Sequence, residues 1–393
     1  MNARVRDALV NLAAHPFAWP AARLLRSLGP LVRVPGVGTV ISDLELAHEI
    51  LARDDTFTKN GEGSIAAVLT QAMGPFALAN MDGEAHRQLR ARLGDLLTPA
   101  RCAALLSACR APIDAACERL GRGETVDLVT VTRTFSGRLT MELMGISPEG
   151  DRDAAARDVF ALGERIAAAL QLRPLTGHRL ARVRGDLDRL TGYARSAFDS
   201  ADLAPGSLVH RLREMGLSSE EARGVLSIFF IAGTLTAAVA LPRVVALLLD
   251  TRTMDAVRGD PALVGRAVDE GLRLTTPVPA TVRIAARDAE VRGHRFGEGT
   301  RVVLLTSNMA RDASVFADPH TLDLHREYDA RGRYLWYGAG PHFCIGFPLA
   351  QREMQLVVGL LAGLPRRLVI VRRRPATGVL LPAYALLELR MEA

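Results

Sequence analysis

The stretch Val225–Pro242, VLSIFFIAGTLTAAVALP, runs for 18 residues without a charge. Two arrangements tolerate such a run: a helix crossing a bilayer, or a helix enclosed on all sides by protein. Its interior carries Ser227, Gly233, Thr234, Thr236 and Pro242, and Arg243 follows directly. No second run of this kind and no aromatic belt accompany it. With 49% hydrophobic residues among 393, the chain has enough apolar material to bury it. The run therefore predicts an apolar helix over 219–250 threaded through a large core, with no membrane span.

Helical signals dominate elsewhere. DLELAHEILA (43–52) starts at a capping Ser42 or Asp43. Further helices are expected over 83–97, 99–120, 153–170, 177–200 and 261–274, with the pair 153–170 and 177–200 joined by LRPLTG. Strand signals are short: LVRV and GTVIS (31–42) read as a hairpin, 281–306 as two or three strands, and RLVIVRR and ALLELRM close the chain. No Gly/Ser linker or repeat divides these elements. The reading is one domain over residues 1–393, mainly α with a small β region (α+β).

The formal net charge is +6, and all but one of the basic residues are arginine; Lys59 is the only lysine. No aromatic-interleaved basic block occurs, and the longest basic run is Arg372–Arg374. That pattern describes a solvated surface rather than a nucleic-acid groove, with a face that docks an acidic protein as the milder alternative. Cys102, Cys109 and Cys117 recur at 7 and 8 residues, one face of a helix, and read as small buried thiols. Without a disulfide framework, a zinc pattern or a signal segment, the cytoplasm is the expected location.

Cys344 differs. It lies in YGAGPHFCIG (337–346) ahead of the helical FPLAQREMQLVVGLLAGL. Gly338, Gly340 and Gly346 let the backbone bend and come close to a flat ligand. The helix N-terminus favours a thiolate. His342, two residues away in a loop, is poorly placed as a base for a nucleophile. One thiolate does not make a structural zinc site, but it suffices for haem iron.

This loop resembles the haem-binding signature of the cytochrome P-450 family, with Tyr337 in place of a phenylalanine. Other motifs follow in family order: HRQLR (His86, Arg90), AGTLT (232–236), EGLR (Glu270, Arg273) and TTPVPATVR with Pro277 and Arg283. The likeness implies haem b (iron protoporphyrin IX) between the central helix and the cysteine loop, with Cys344 as the iron ligand. It implies His86, Arg90, Arg283 and His342 around the haem carboxylates, and Ala232, Gly233, Tyr337, Gly338 and Gly346 against the cofactor. Thr236 would be the catalytic hydroxyl, and Glu270–Arg273 a structural pair. Leu235, Val278, Ala280 and Thr281 are expected at the substrate, with further walls from 60–80 and 151–205. The implied activity is a monooxygenase taking O2, a largely apolar small molecule, and electrons from a ferredoxin and its ferredoxin reductase. Natural-product tailoring is the implied setting.

Two positions depart from the family. The acid normally preceding the threonine is Leu235, and no Asp or Glu occurs between Glu221 and Asp250. A leucine cannot relay protons. Substrate groups or ordered water then supply the relay, or the enzyme uses peroxide, or it performs coupling, desaturation or rearrangement, or its oxidase activity is weak or lost. The arginine expected to complete a triad with E-x-x-R is Thr321, leaving His320 or Arg326 as substitutes. A non-enzyme alternative is a haem-deficient activator of a partner enzyme, against which Cys344 argues.

Overall fold

The computed structural model describes residues 3–61, 64–74, 76–148, 150–169, 176–199, 204–329 and 332–392. Most of the expected LRPLTG connection, and parts of the expected pocket walls at 60–80 and 151–205, lie outside them.

The apolar run forms the central helix, Ser219–Asp250. Ser218 and Glu221 close its start reciprocally: the Ser218 hydroxyl accepts from Glu221 N at 3.3 Å, and the Glu221 carboxylate accepts from Ser218 N at 2.8 Å. It is long and apolar enough to cross a membrane, but 72% of its most apolar window is buried inside the protein, which makes it a core helix. Helices Leu128–Met144, Arg152–Ala169 and Val264–Thr275 pack around it. Pro242 has no N–H, so the Ala238 carbonyl lacks its helical partner. Thr132, on the helix Leu128–Met144, donates its hydroxyl to that carbonyl at 3.2 Å.

Among the described residues ten strands form three sheets: β1 (Leu31–Val34), β2 (Gly38–Ile41), β3 (Phe57–Thr58), β4 (Val126–Asp127), β5 (Thr281–Ala285), β6 (Ala289–Val291), β7 (His294–Phe296), β8 (Arg301–Leu304), β9 (Leu368–Pro375) and β10 (Tyr384–Met391). The largest sheet runs β1-β2-β8-β5-β3, with β2 and β8 parallel and the other pairs antiparallel. A second runs β4-β10-β9, and β6 pairs with β7. The architecture is mainly α with small β sheets.

Three local expectations change. The segment 281–306 holds four strands, because turns at 286–288, 292–293 and 297–300 cut it. The helix expected over 99–120 is two, Pro99–Cys109 and Ala111–Gly121, broken at Arg110 ahead of Pro112. Cys102 and Cys109 are buried, Cys117 is half-buried, and all four cysteines are free thiols. The helix Leu128–Met144 was not expected at all.

Candidate functional site

The cysteine loop turns on two left-handed glycines, Gly338 (φ +84°) and Gly340 (φ +65°). A Cβ on Gly340 would lie 2.3 Å from the Leu51 carbonyl oxygen. This glycine therefore lets the loop close on the end of helix Leu44–Ala52, and the expectation that it admits a flat ligand is corrected. Cys344 donates its backbone N–H to Tyr337 O at 2.9 Å and stands just before helix Phe347–Ala362, whose N-cap is Gly346. Burial pushes the Cys344 thiol up, against the opposing pull of the Gly346 N–H, the Arg90 charge and the Phe347 N–H. A bound metal cation would favour the thiolate here, since a coordinating thiol is deprotonated. Tyr337 packs among Phe343, Phe347 and Tyr334, and its hydroxyl donates to Gln351 Oε1 at 3.0 Å.

Facing this loop is a group of nitrogen-bearing side chains from separate elements. His86, on helix Gly83–Leu93, is 1% exposed and stacks on His342 with ring centroids 4.1 Å apart. Arg90 lies one turn beyond His86, and Arg283 comes from β5. Arg283 is buried and donates to the Thr281 hydroxyl at 3.3 Å and to the Val282 carbonyl at 2.9 Å. Among the described residues no carboxylate pairs with Arg90 or Arg283, and His86 Nδ1 is buried with no hydrogen-bond partner. Burial, with the Arg90 and Lys59 charges, pushes His86 down to about 4. Burial also takes His342 to about 4, although Asp82 accepts a hydrogen bond from its Nε2 at 3.3 Å. Burial lowers Arg283 to about 10.

Two residues that the motifs did not reveal belong to this group. Asp82 ties it together, since its carboxylate also accepts the backbone N–H groups of Lys59 and Asn60 at 3.0–3.1 Å. Lys59 is pushed down to about 7 by burial and then by the Arg283 charge. The signal for Lys59 was in the composition, as the lone lysine of an arginine-rich chain. Asp54 brings a third possible ligand atom within 4.8 Å of His86 and His342. Its carboxylate is already paired with Arg87 at 3.2 Å, which leaves that trio a poor metal site.

On the central helix, every residue from Gly224 to Leu248 is buried except Ile228, Ala232, Gly233 and Thr236. At about 100° per residue they spread over about 140° of the helix, one broad open stripe. Ala232 and Gly233 are exposed in the middle of an otherwise enclosed helix, so the stripe fronts an internal space. Thr236 donates its hydroxyl to the Ala232 carbonyl at 2.7 Å. The placement of Leu235 at the substrate is corrected: it is 4% exposed and packs on helix Arg152–Ala169, where a Cβ on Gly163 would touch it at 3.5 Å. Thr281 is held by Arg283, on the same face of β5, and stands with the cations. Val278 is 37% exposed and Ala280 half-exposed. An open groove of about 700 Å3 lined by Ile146, Pro148, Asp158 and Tyr193 lies among other residues.

Glu270 and Arg273 form a buried bidentate pair at 2.6 and 2.9 Å. Arg326 completes it, donating Nε to Glu270 Oε1 at 3.0 Å, which decides between the two substitutes in favour of Arg326. Tyr328 and the Asp323 N–H fill the remaining acceptor positions at 2.7 and 2.9 Å. Burial alone would raise Glu270, but Arg273 and Tyr328 hold it below the usual range.

The haem that the sequence motifs imply fits these residues. A thiol waits at a helix N-terminus, unpaired cations and an orphan imidazole nitrogen match two carboxylates, and a small-residue stripe leaves room for a flat ring. Comparison with known proteins agrees. Residues 260–361 match the family model described as cytochrome P-450. The chain is 30% identical over 366 residues to the cytochrome P-450 monooxygenase PikC of Streptomyces venezuelae, covering 88% of this chain and 83% of that one. It is 27% identical to luteothin monooxygenase of Streptomyces thioluteus, covering 88% and 86%. Among solved structures it is similar to epothilone B-bound cytochrome P-450epoK, with TM-score 0.81, 22% identity and coverage of 97% and 98%.

Proposed function

This chain belongs to the cytochrome P-450 family, and from that premise we propose that it is a cytoplasmic enzyme oxidising a largely apolar small molecule in natural-product tailoring. In this reading residues 1–393 work as one domain, with O2 as oxidant and electrons from a separate ferredoxin and ferredoxin reductase. The cofactor is haem b, and the enzyme class is that of monooxygenase-type oxidoreductases. The observation that carries the reading is Cys344 at a helix N-terminus beside Arg90 and an unpaired His86 Nδ1 that lack carboxylates.

The bound haem supplies the activation of O2. The protein's own groups hold it and manage protons. Cys344 would hold the iron, and Arg90, Arg283 and the orphan His86 Nδ1 would pair with the haem carboxylates. Thr236 commits its proton to the Ala232 carbonyl, which leaves its oxygen lone pairs to accept from a water. Gly233 keeps the adjoining space clear. Leu235 contributes no proton, so a substrate hydroxyl or ordered water passes protons to the Thr236 site. Arg92 and Arg333 are exposed and suit an acidic ferredoxin, whereas Arg101 and Arg352 are half-buried and Arg90 belongs to the inner cluster. Both named relatives are monooxygenases, and both come from Streptomyces.

The red-shifted Soret band of the reduced carbon monoxide complex tests the thiolate. Its absence would overturn the reading in favour of a haem-deficient activator. One observation favours a second chemistry: Leu235 sits in an apolar contact with no acid on either side of it along the helix. Turnover driven by peroxide that exceeds turnover driven by ferredoxin selects the peroxide-driven alternative. Products of coupling, desaturation or rearrangement select non-hydroxylating chemistry.

A further inference from the structure

We propose that Tyr337, Gln351 and Asp269 form a hydrogen-bonded tether that positions the cysteine loop and its thiolate, a role that rests on the haem-thiolate reading. Tyr337 stands where the haem-binding signature has a phenylalanine, so its hydroxyl is an addition to the signature. That hydroxyl donates to Gln351 Oε1 at 3.0 Å, and Gln351 Nε2 donates to Asp269 Oδ1. The Cys344 N–H donates to the Tyr337 carbonyl at 2.9 Å. Hydrogen bonds thus link the helix Val264–Thr275, the helix Phe347–Ala362 and the backbone of Cys344 through one tyrosine.

The chemistry of the three groups fixes the direction of the bonds. A carboxylate only accepts, so Gln351 turns its NH2 to Asp269 and its carbonyl oxygen to Tyr337, whose hydroxyl must donate. Gln351 is 7% exposed and Asp269 6% exposed, and among the described residues their side chains make no other hydrogen bond. A phenylalanine at 337 would leave Gln351 Oε1 buried without a donor, so each polar group requires the next. The loop needs such an anchor. Gly338 and Gly340 have positive φ and no side chain to pack, so little stiffness comes from the loop itself. The rings of Tyr337, Phe343 and Phe347 fill space, whereas a hydrogen bond also sets direction. Asp269 adds charge. Burial raises its carboxyl to about 6, opposed by Gln351 and by the Arg333 and Arg266 charges and reinforced by Glu270. Tyr328 and Tyr337 are the other titratable groups that face it. Above that range the tether ends on an anion, which disfavours adding an electron to a haem held by Cys344.

The test follows the reduced carbon monoxide complex of the loaded protein as its red-shifted thiolate band decays in mild urea. Tyr337→Phe, which keeps the ring and restores the signature residue, is expected to lose the band about tenfold faster than wild type, and Gln351→Leu likewise. The double variant should be no faster than about tenfold, because both changes cut one tether. A wild-type rate in Tyr337→Phe, or effects that multiply to about a hundredfold in the double variant, overturns the tether. A second arm measures the one-electron reduction equilibrium of the haem. Asp269→Asn keeps an oxygen that accepts from Gln351 and removes the charge. It should shift that equilibrium toward the reduced form about fivefold at about pH 8, and by less at about pH 5, where wild-type Asp269 is itself neutral. An unchanged equilibrium at the higher pH, or the same shift at both, overturns the link from Asp269 to Cys344. A wild-type protein without the thiolate carbonyl spectrum would fail the enzyme reading instead, before any variant is compared.

Discussion

Around Glu270, one buried carboxylate accepts five hydrogen bonds: two from Arg273, one from Arg326, one from Tyr328 and one from the Asp323 backbone. Around His86 the ratio is reversed. Lys59, His86, Arg90, Arg283 and His342 stand near two acids, Asp82, which is committed to two backbone N–H groups and one ring, and Asp54, which is paired with Arg87. Both clusters set buried arginines near a carboxylate. One is closed, with every acceptor used, and behaves as a structural knot. The other is open, with an orphan nitrogen and cations held against burial, and it waits for an anion from outside the chain. Satisfaction of the groups, more than their charge or burial, separates the part that makes the fold from the part that binds.

Variants can break or sharpen this contrast. Glu270→Gln should produce the largest change, because it leaves Arg273 and Arg326 buried without their anion. A loss of about 3–5 kcal/mol in urea unfolding is expected. A loss below about 1 kcal/mol would mean that the closed cluster is not structural.

Glu353 is an intermediate case. It is 3% exposed, its recorded partner is the Ser136 hydroxyl at 2.6 Å, and burial raises it to about 7. Between the ordinary carboxyl range and pH 7 the unfolded chain releases this proton while the fold retains it. Stability therefore falls as pH rises through that window and levels off above it. Glu353→Gln should remove that fall, matching wild type near pH 4 and exceeding it by up to about 3 kcal/mol above pH 7. Parallel pH profiles for the two proteins would show that the buried acid does not titrate within the fold.

Arg283→Met should separate the clusters most directly. Haem-free stability should stay within about 0.5 kcal/mol, because a desolvated and unpaired cation is exchanged for an apolar chain. Haem loss should accelerate about tenfold. A large loss of haem-free stability would place Arg283 with the structural knot. The smallest effect is expected from Thr132→Val, which removes the hydroxyl on the Ala238 carbonyl and should cost about 1 kcal/mol in thermal or urea unfolding.

Much of this was legible in the sequence where local chemistry dominates. The central helix begins and ends at the expected residues, because Ser218 and Glu221 cap it and its apolar run admits no other state. The hairpin of β1 and β2, the helix after Cys344 and the placing of His86 opposite His342 followed from turns and motif order. The helix Leu128–Met144 was missed. Its sequence, LVTVTRTFSGRLTMELM, is rich in threonine and valine, which have low intrinsic helix propensity. Burial of most of its length imposes the helix instead. Arg326 could not be chosen over His320, because the choice depends on how 318–328 folds back over Glu270. Leu235 was assigned to the substrate, but helix Arg152–Ala169 covers it at Gly163, a tertiary contact that the local sequence does not announce. Lys59 joins the cluster through its backbone N–H on Asp82, a contact over 23 residues that the local sequence does not announce.

The solitary lysine also gives the molecule a single scissile address. A lysine-specific protease has one target bond in the whole chain, Lys59–Asn60, and Asp82 holds the N–H of that bond and the one before it. Cleavage at that bond in native protein therefore counts local openings of this one segment, and its rate is a clock for release of the Asp82 hydrogen bonds.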